Sequence, residues 1–220
     1  MIKAIVLLSG GMDSLLTAAI AAKECDELLF LHFAYGQRTQ DKEQDCFRAI
    51  AAHYQAKEAS IVDYRWLADI GGSALTDSKI EIDQHPDGIP NTYVPFRNAS
   101  MLSAAVAWAE VKTATRIYIG AVEEDSSGYP DCRQSFFEAM QSVIRLGTKA
   151  ANIRIHTPVL HMSKKDIVLK GMELNVPFEL SWSCYKDSDA ACGVCPSCVL
   201  RLKAFAQAGL RDPIPYREQS

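Results

Sequence analysis

The chain has 220 residues, 48% of them hydrophobic and 23% charged, a size and balance that give one globular domain with a full core. Its formal charge of −4 weighs against a protein that grips a phosphate backbone, since that grip needs clustered Lys and Arg and the longest basic pair is Lys164-Lys165. The first residues enter an apolar run at once and the most apolar windows carry charges such as Lys23 or Glu110, so neither signal peptide nor membrane span is expected. A cytoplasmic protein with small-molecule partners, and no nucleic-acid or membrane partner, follows as the expectation.

Residues 2–8 read as a buried strand, followed by Ser9-Gly10-Gly11-Met12-Asp13-Ser14 and a helical pattern over 15–23. A strand that breaks into a glycine-rich turn and then a helix offers free N–H groups and a positive dipole end to an anion such as phosphate. No lysine lies between Lys3 and Lys23, so this is not a Walker loop. The plainer reading, compatible with the first, is a Gly-Gly turn with Asp13 or Ser14 as the helix N-cap. Further strands are expected at 28–33, 59–62, 117–121 and 153–159. Helical periodicity runs over 41–54, 100–111 and through Phe136, Phe137, Met140, Val143 and Ile144. Ser163-Lys164-Lys165-Asp166 reads as a capping box leading a helix through Ile167, Val168 and Met172.

Strands alternating with helices predict an α/β fold with a parallel, five-stranded, doubly wound sheet. Ligands in such sheets lie beyond the carboxyl ends of the strands, where residues 9–14, 35–38 and 123–133 would converge. Residues 71–91, with Gly71-Gly72, Pro86, Gly88 and Pro90, read as a long surface excursion, either a lid over the substrate or an insertion without function.

Of seven cysteines, Cys184, Cys192, Cys195 and Cys198 fall within fifteen residues with spacing C-x7-C-x2-C-x2-C. Four thiolates fill a tetrahedral shell, so the set predicts a structural Zn²⁺ with no open position, an iron–sulfur cluster being the competing reading. Arg201 and Lys203 are placed to moderate the anionic charge. Pro196 would start a helix carrying Cys198 through Leu202 and Phe205 to an end near Gly209. Cys25 and Cys46 read as core residues, and Cys132 as a nucleophile only in a thiolase. None of the five histidines has metal-ligand spacing or an assigned catalytic role.

The pattern SGGxDS at 9–14 resembles the loop of the N-type ATP pyrophosphatases, the PP-loop or adenine nucleotide alpha hydrolase-like class. Together with YGQR at 35–38, VPFRN at 94–98, DSSGYPDCR at 125–133 and the four cysteines, the chain resembles the 7-cyano-7-deazaguanine synthase (QueC, preQ0 synthase) family over nearly its whole length. Phe96 stands where the resemblance leads one to expect the glycine of VPGRN. The resemblance implies one PP-loop domain over 1–220, with residues 184–198 as its zinc element.

It also implies ATP held by Leu8, Ser9, Gly10, Gly11, Met12, Asp13 and Ser14, with Asp13 helping to bind Mg²⁺. The implied reaction converts 7-carboxy-7-deazaguanine and ammonia to a nitrile through adenylated carboxylate and amide, releasing AMP and pyrophosphate. Arg97, Arg133 and Lys164 are the candidates to neutralise the substrate carboxylate or the reacting phosphate. Tyr35, Gln37, Arg38, Asn98, Asp131 and Arg133 are the candidate substrate contacts. A homodimer is implied as well. A PP-loop tRNA thiolase and a non-catalytic adenine-nucleotide sensor are the other readings.

Overall fold

The computed structural model describes residues 1–83, 88–123 and 128–218. Strands β1 (Lys3–Leu7), β2 (Glu27–Ala34), β3 (Glu58–Asp63), β4 (Arg116–Ile119) and β5 (Arg154–His156) form one parallel sheet in the order β3-β2-β1-β4-β5. The central strands β1 and β2 are almost continuously apolar because helices cover both of their faces, whereas the edge strand β3 alternates in burial.

Alternate residues of β1 point to opposite faces and sort the helices into two layers. Ala4 and Val6 pack with α1 (Met12–Glu24), α2 (Gln40–His53), α6 (Lys164–Glu173) and α7 (Pro196–Gln207). Ile5 and Leu7 pack with α4 (Arg97–Lys112) and α5 (Gln134–Gly147). The five-stranded, doubly wound expectation holds. The box at Ser163 forms as read: Ser163 Oγ accepts from the Asp166 N–H, and the Asp166 carboxylate accepts from the Ser163 N–H.

Two local features departed from the sequence reading. A five-residue helix, α3 (Trp66–Ile70), is too short to show periodicity. The 71–91 segment is not purely superficial: Ser73 and Ala74 are fully buried, Leu75 and Ile82 nearly so, and Arg38 holds it by donating to the carbonyls of Asp77 and Ile80. His85 and Pro86 lie outside the described residues. No described helix is long and apolar enough to cross a membrane.

Chain order runs outward from β1 to β3 in one direction and from β4 to β5 in the other, which puts the switch point between β1 and β4. Gly120 follows β4 there, and a methyl group on it would lie 2.8 Å from both Cα and N of Ser14. Only a residue without Cβ lets the start of α1 sit against the end of β4. Gly120→Ala is therefore expected to cost about 1–3 kcal/mol of stability, through the backbone shift that overpacking forces. A urea titration checks this, and a midpoint equal to wild type would refute the close approach.

Candidate functional site

The turn after β1 organises itself before it meets any ligand. Gly10 has φ +91°, and a Cβ there would lie 2.8 Å from the Glu43 carbonyl oxygen, so glycine is required twice over at this position. The Ser9 N–H donates to Ser14 Oγ at 3.2 Å, the two hydroxyls lie 3.0 Å apart, and Ser14 Oγ donates to the Gly11 carbonyl at 3.0 Å. The N-cap of α1 is Gly11, and no side chain caps it; neither Asp13 nor Ser14 takes that role. The first N–H groups of α1 are thus left to an external acceptor.

Asp13 stands at the mouth of this turn. Lys164, brought across by the start of α6, donates to Asp13 Oδ2 at 2.6 Å. Asp13 Oδ1 is buried with no partner among the described residues. A buried carboxylate oxygen without a donor is costly, and a hard, oxygen-seeking cation suits it.

A cavity of about 320 Å³ opens from the turn, walled by Leu8, Ser9, Gly11, Met12, Asp13 and Ser14 on one side and by Tyr35, Gln37, Arg38, Arg97, Asn98 and Lys164 around it. Most of the residues singled out from sequence are therefore brought together. They do different things. Arg97 Nη1 donates to the Tyr35 hydroxyl at 3.0 Å, and burial pushes that phenol up to about 12, so it stays protonated. Gln37 is committed internally, accepting from the Tyr35 N–H at 2.9 Å and donating to Glu43 Oε2 at 2.9 Å.

Three of the ATP, substrate and catalytic candidates are not walls of the cavity formed by the described residues: Gly10, which packs against the Glu43 carbonyl behind the turn, Asp131 and Arg133. Asp131 is buried and accepts from the Asn98 N–H at 2.9 Å, while Asn98 Nδ2 donates to the Asp131 carbonyl at 3.0 Å; the pair fixes the start of α4. Arg133 is exposed, at the N-cap of α5. Asp125, Ser126 and Ser127 of the DSSGYPDCR motif lie outside the described residues.

Several wall residues escaped sequence reasoning. Glu43 accepts from Gln37 Nε2 and from Thr39 Oγ1 at 3.0 Å, and burial pushes its carboxyl up to about 7. His32 is buried in β2 with Nδ1 2.9 Å from the Leu8 carbonyl and Nε2 without a partner among the described residues. Trp182, Tyr185 and Ser197 close the wall from the C-terminal segment. A histidine inside an apolar run and an acid in the first turns of a helix read as ordinary core and cap residues, which is why neither stood out. Cys132 also lines the cavity, but burial pushes its thiol up to about 11, which disfavours a nucleophilic thiolate.

The sulfurs of Cys184, Cys192, Cys195 and Cys198 all lie within 4.8 Å of one another. Backbone N–H groups of Lys186, Asp187 and Cys192 donate to Cys184 Sγ at 3.3–3.4 Å, and that of Cys195 to Cys192 Sγ at 3.3 Å. Hydrogen bonding from Cys195 holds the Cys184 thiol far below its usual range, while bonding to Cys184 pushes Cys198 up. The set therefore fits a metal ion. Arg201 does not serve it as expected: its guanidinium is 1% exposed and pairs with Asp212 at 2.7 and 3.0 Å, and with Ser181 Oγ at 2.8 Å.

A parallel sheet of this order, with an uncapped glycine turn at its switch point and a cysteine element packed beside it, defines a PP-loop α/β protein. The family model described as "Queuosine biosynthesis protein QueC" matches residues 3–209, and the chain belongs to that family. A protein of Chlorobium phaeobacteroides named 7-cyano-7-deazaguanine synthase is 58% identical over 221 residues, covering 99% of this chain and 98% of its own. One of Chlorobium limicola with the same name is 57% identical, covering 97% and 96%. Among solved structures, the U34-tRNA thiolase NcsA from Methanococcus maripaludis with its [4Fe-4S] cluster is similar with a TM-score of 0.50, 16% identity, and cover of 92% of this chain and 63% of that one. A predicted subunit of tRNA methyltransferase from Methanocaldococcus jannaschii gives 0.50, 15%, 100% and 94%. At those identities they share the fold alone.

Phe96, the departure from VPGRN, sits at the N-cap of α4 with φ 56°, ψ 25°, a left-handed conformation that glycine adopts freely and a phenylalanine does not. Its side chain is 67% exposed, so little burial offsets the strain. Phe96→Gly is expected to stabilise the protein by about 0.5–1 kcal/mol after the entropy of an added glycine is counted, a rise of roughly 1–4 °C in melting temperature. Thermal unfolding of the two proteins checks it.

Proposed function

We propose that this chain catalyses the ATP-dependent conversion of 7-carboxy-7-deazaguanine and ammonia into 7-cyano-7-deazaguanine, the activity named for its relatives. The observation that carries the reading is the meeting, on one cavity, of an uncapped helix N-terminus, an Asp13 oxygen with no partner among the described residues and the half-buried guanidinium of Arg97. A carboxylate is a poor electrophile. Joining its oxygen to the α-phosphorus of ATP, with pyrophosphate leaving, makes a mixed anhydride that ammonia attacks; adenylating the amide oxygen in turn permits elimination to the nitrile.

The N–H groups of the 9–14 turn and the hydroxyls of Ser9 and Ser14 would receive the pyrophosphate. Asp13 Oδ1 would hold Mg²⁺, which, when bound, neutralises phosphate charge. Lys164 adds a second positive charge to the same region, and Arg97 would orient the substrate carboxylate. Tyr35, Gln37 and Arg38 would shape the heterocycle's wall. Asn98 and Asp131 would steady α4 under Arg97, and Arg133 would act at the rim. Cys184, Cys192, Cys195 and Cys198 would hold a structural Zn²⁺. The proposal includes a single domain over 1–220, a cytoplasmic location and a homodimer.

Incubation with ATP, Mg²⁺, ammonium and 7-carboxy-7-deazaguanine is expected to yield the nitrile by mass spectrometry, with AMP and pyrophosphate as nucleotide products; a thiolated tRNA instead would overturn the reading. Arg97→Ala is expected to lower kcat about 100- to 1000-fold with folding intact by circular dichroism, the effect of deleting one charge-stabilising group. Purified protein is expected to carry one zinc per chain by elemental analysis, and chelation under denaturant is expected to lower the unfolding midpoint, since metal binding is folding free energy in such elements. Iron with acid-labile sulfide would refute the zinc assignment.

A further inference from the structure

Amide and nitrile formation each release a proton, and ammonia is present at neutral pH mainly as ammonium, which has no lone pair with which to attack. A site that aminates an adenylate therefore needs a base beside the carbonyl carbon, in a place shielded from water. Arg97, Lys164, Tyr35 and Gln37 cannot supply it. The first two are cations, the phenol is held protonated by burial, and the amide is already paired on both of its ends.

Glu43 can. Its backbone carbonyl is the surface against which Gly10 packs, so it stands directly behind the phosphate turn. Its side chain lines the same cavity as Arg97, whose charge acts on it. Both carboxylate oxygens are oriented, Oε2 by Gln37 Nε2 at 2.9 Å and Oε1 by Thr39 Oγ1 at 3.0 Å. Each oxygen keeps a second lone pair for an incoming N–H donor. No ion pair to Glu43 is formed by any Lys or Arg within 4.0 Å among the described residues.

Resting on the function proposed above, we infer that Glu43 is the ammonium-binding residue and general base of the amination. The Glu43 carboxylate accepts two N–H bonds from ammonium and then takes one of its protons. The freed nitrogen lone pair forms the C–N bond to the adenylated carboxyl carbon, and the C–O bond to phosphate breaks with its electron pair leaving on AMP. The protonated carboxyl passes this proton to solvent, takes the second surplus proton from the new C–NH3⁺ group and releases it likewise, so that a neutral amide and an ionised Glu43 stand ready before the second adenylation. In the second half the amide oxygen bonds to the α-phosphorus of another ATP as pyrophosphate leaves, giving a protonated imidate; one N–H proton passes to solvent, the Glu43 carboxylate takes the remaining one, its electron pair completes the carbon–nitrogen triple bond, and AMP departs with the C–O pair. A carboxyl pushed up to about 7 by burial is matched to accepting and returning a proton near neutral pH.

The test compares Glu43→Gln with wild type in three assays at one pH. Exchange of labelled pyrophosphate into ATP, dependent on 7-carboxy-7-deazaguanine and run without ammonium, reports adenylation alone. Hydroxylamine, a weaker base already neutral at pH 7, traps the adenylate as a hydroxamate without needing a proton removed first. Ammonium-dependent nitrile formation needs all three steps. Glu43→Gln is expected to keep exchange and hydroxamate formation within about twofold, and to lose about 100-fold or more in kcat/KM for ammonium. Parallel loss with hydroxylamine and ammonium, or with exchange, would mean that Glu43 only props Gln37 and Thr39, and overturns the inference; so would an unchanged ammonium rate. Absence of exchange in the wild type would sink the proposed function itself, a result distinct from any produced by the variant.

Discussion

Everything at this site depends on how closely backbone can approach backbone at the sheet's switch point. The turn 9–14 is held on three sides: Gly120 from β4 presses on Ser14, the Glu43 carbonyl of α2 lies behind Gly10, and the Trp182 N–H donates to the Gly10 carbonyl at 2.9 Å. Two of these contacts exist only because a Cβ is missing. The third comes from a segment more than a hundred and fifty residues away in the chain, so the anion-binding geometry of a local motif is fixed by the fold as a whole.

That third contact gives the cysteine element a reason to lie where it does. Trp182 precedes Cys184 by two residues, and the Cys184 carbonyl lies 3.2 Å from Thr39 Oγ1, whose one proton it shares with Glu43, so the loops after β1 and β2 both lean on the same short stretch. Arg201 ties that stretch to α7 by donating to Ser181, Ser183 and Asp212, and the Tyr216 hydroxyl donates to Asp212 as well at 2.7 Å. Buried ion pairs of this kind add little net stability, but they allow few alternative arrangements when every hydrogen-bonding group is satisfied. A metal held by four thiolates would restrain the other end of the stretch. The element then acts on the reaction through position, as part of the wall around the phosphate turn.

Much of this was legible in the residues. Hydrophobic runs gave the strands, most plainly the central β1, β2 and β4, whose burial on both faces leaves a near-continuous apolar pattern, and the glycine turn, the cysteine spacing and the box at Ser163 each have a short-range physical cause. Long-range choices were not legible. That Lys164 would meet Asp13, that Asp131 would turn its carboxylate to the Asn98 N–H and away from the cavity, and that Arg201 would choose Asp212 over the thiolates are decided by packing between elements distant in sequence. Glu43 shows the same limit from the other direction: its neighbours in the chain, Lys42, Gln44 and Asp45, give it the look of a solvated helix face, and only the closure of α2 over the phosphate turn makes it a cavity wall.

The charges that line the cavity are separated in a way that suits a two-stage reaction. Asp13 and Lys164 stand together at the turn, where the triphosphate tail would lie, and hold one another until a phosphate and its cation compete for them. Arg97 instead donates to a neutral partner, the protonated Tyr35 hydroxyl, with the Asp131 carboxylate acting on it from further off. A half-buried guanidinium whose direct hydrogen-bond partner is a neutral hydroxyl is open to a planar carboxylate, which pairs with it more strongly than a hydroxyl does. Glu43 lines the same cavity, close enough to feel Arg97, and its two side-chain hydrogen bonds come from neutral donors. Once a substrate carboxylate is adenylated, its negative charge is spent, and the balance near Arg97 shifts toward an ionised Glu43. The chemistry that creates the electrophile thus favours the charge state of the carboxylate that would deliver the nucleophile.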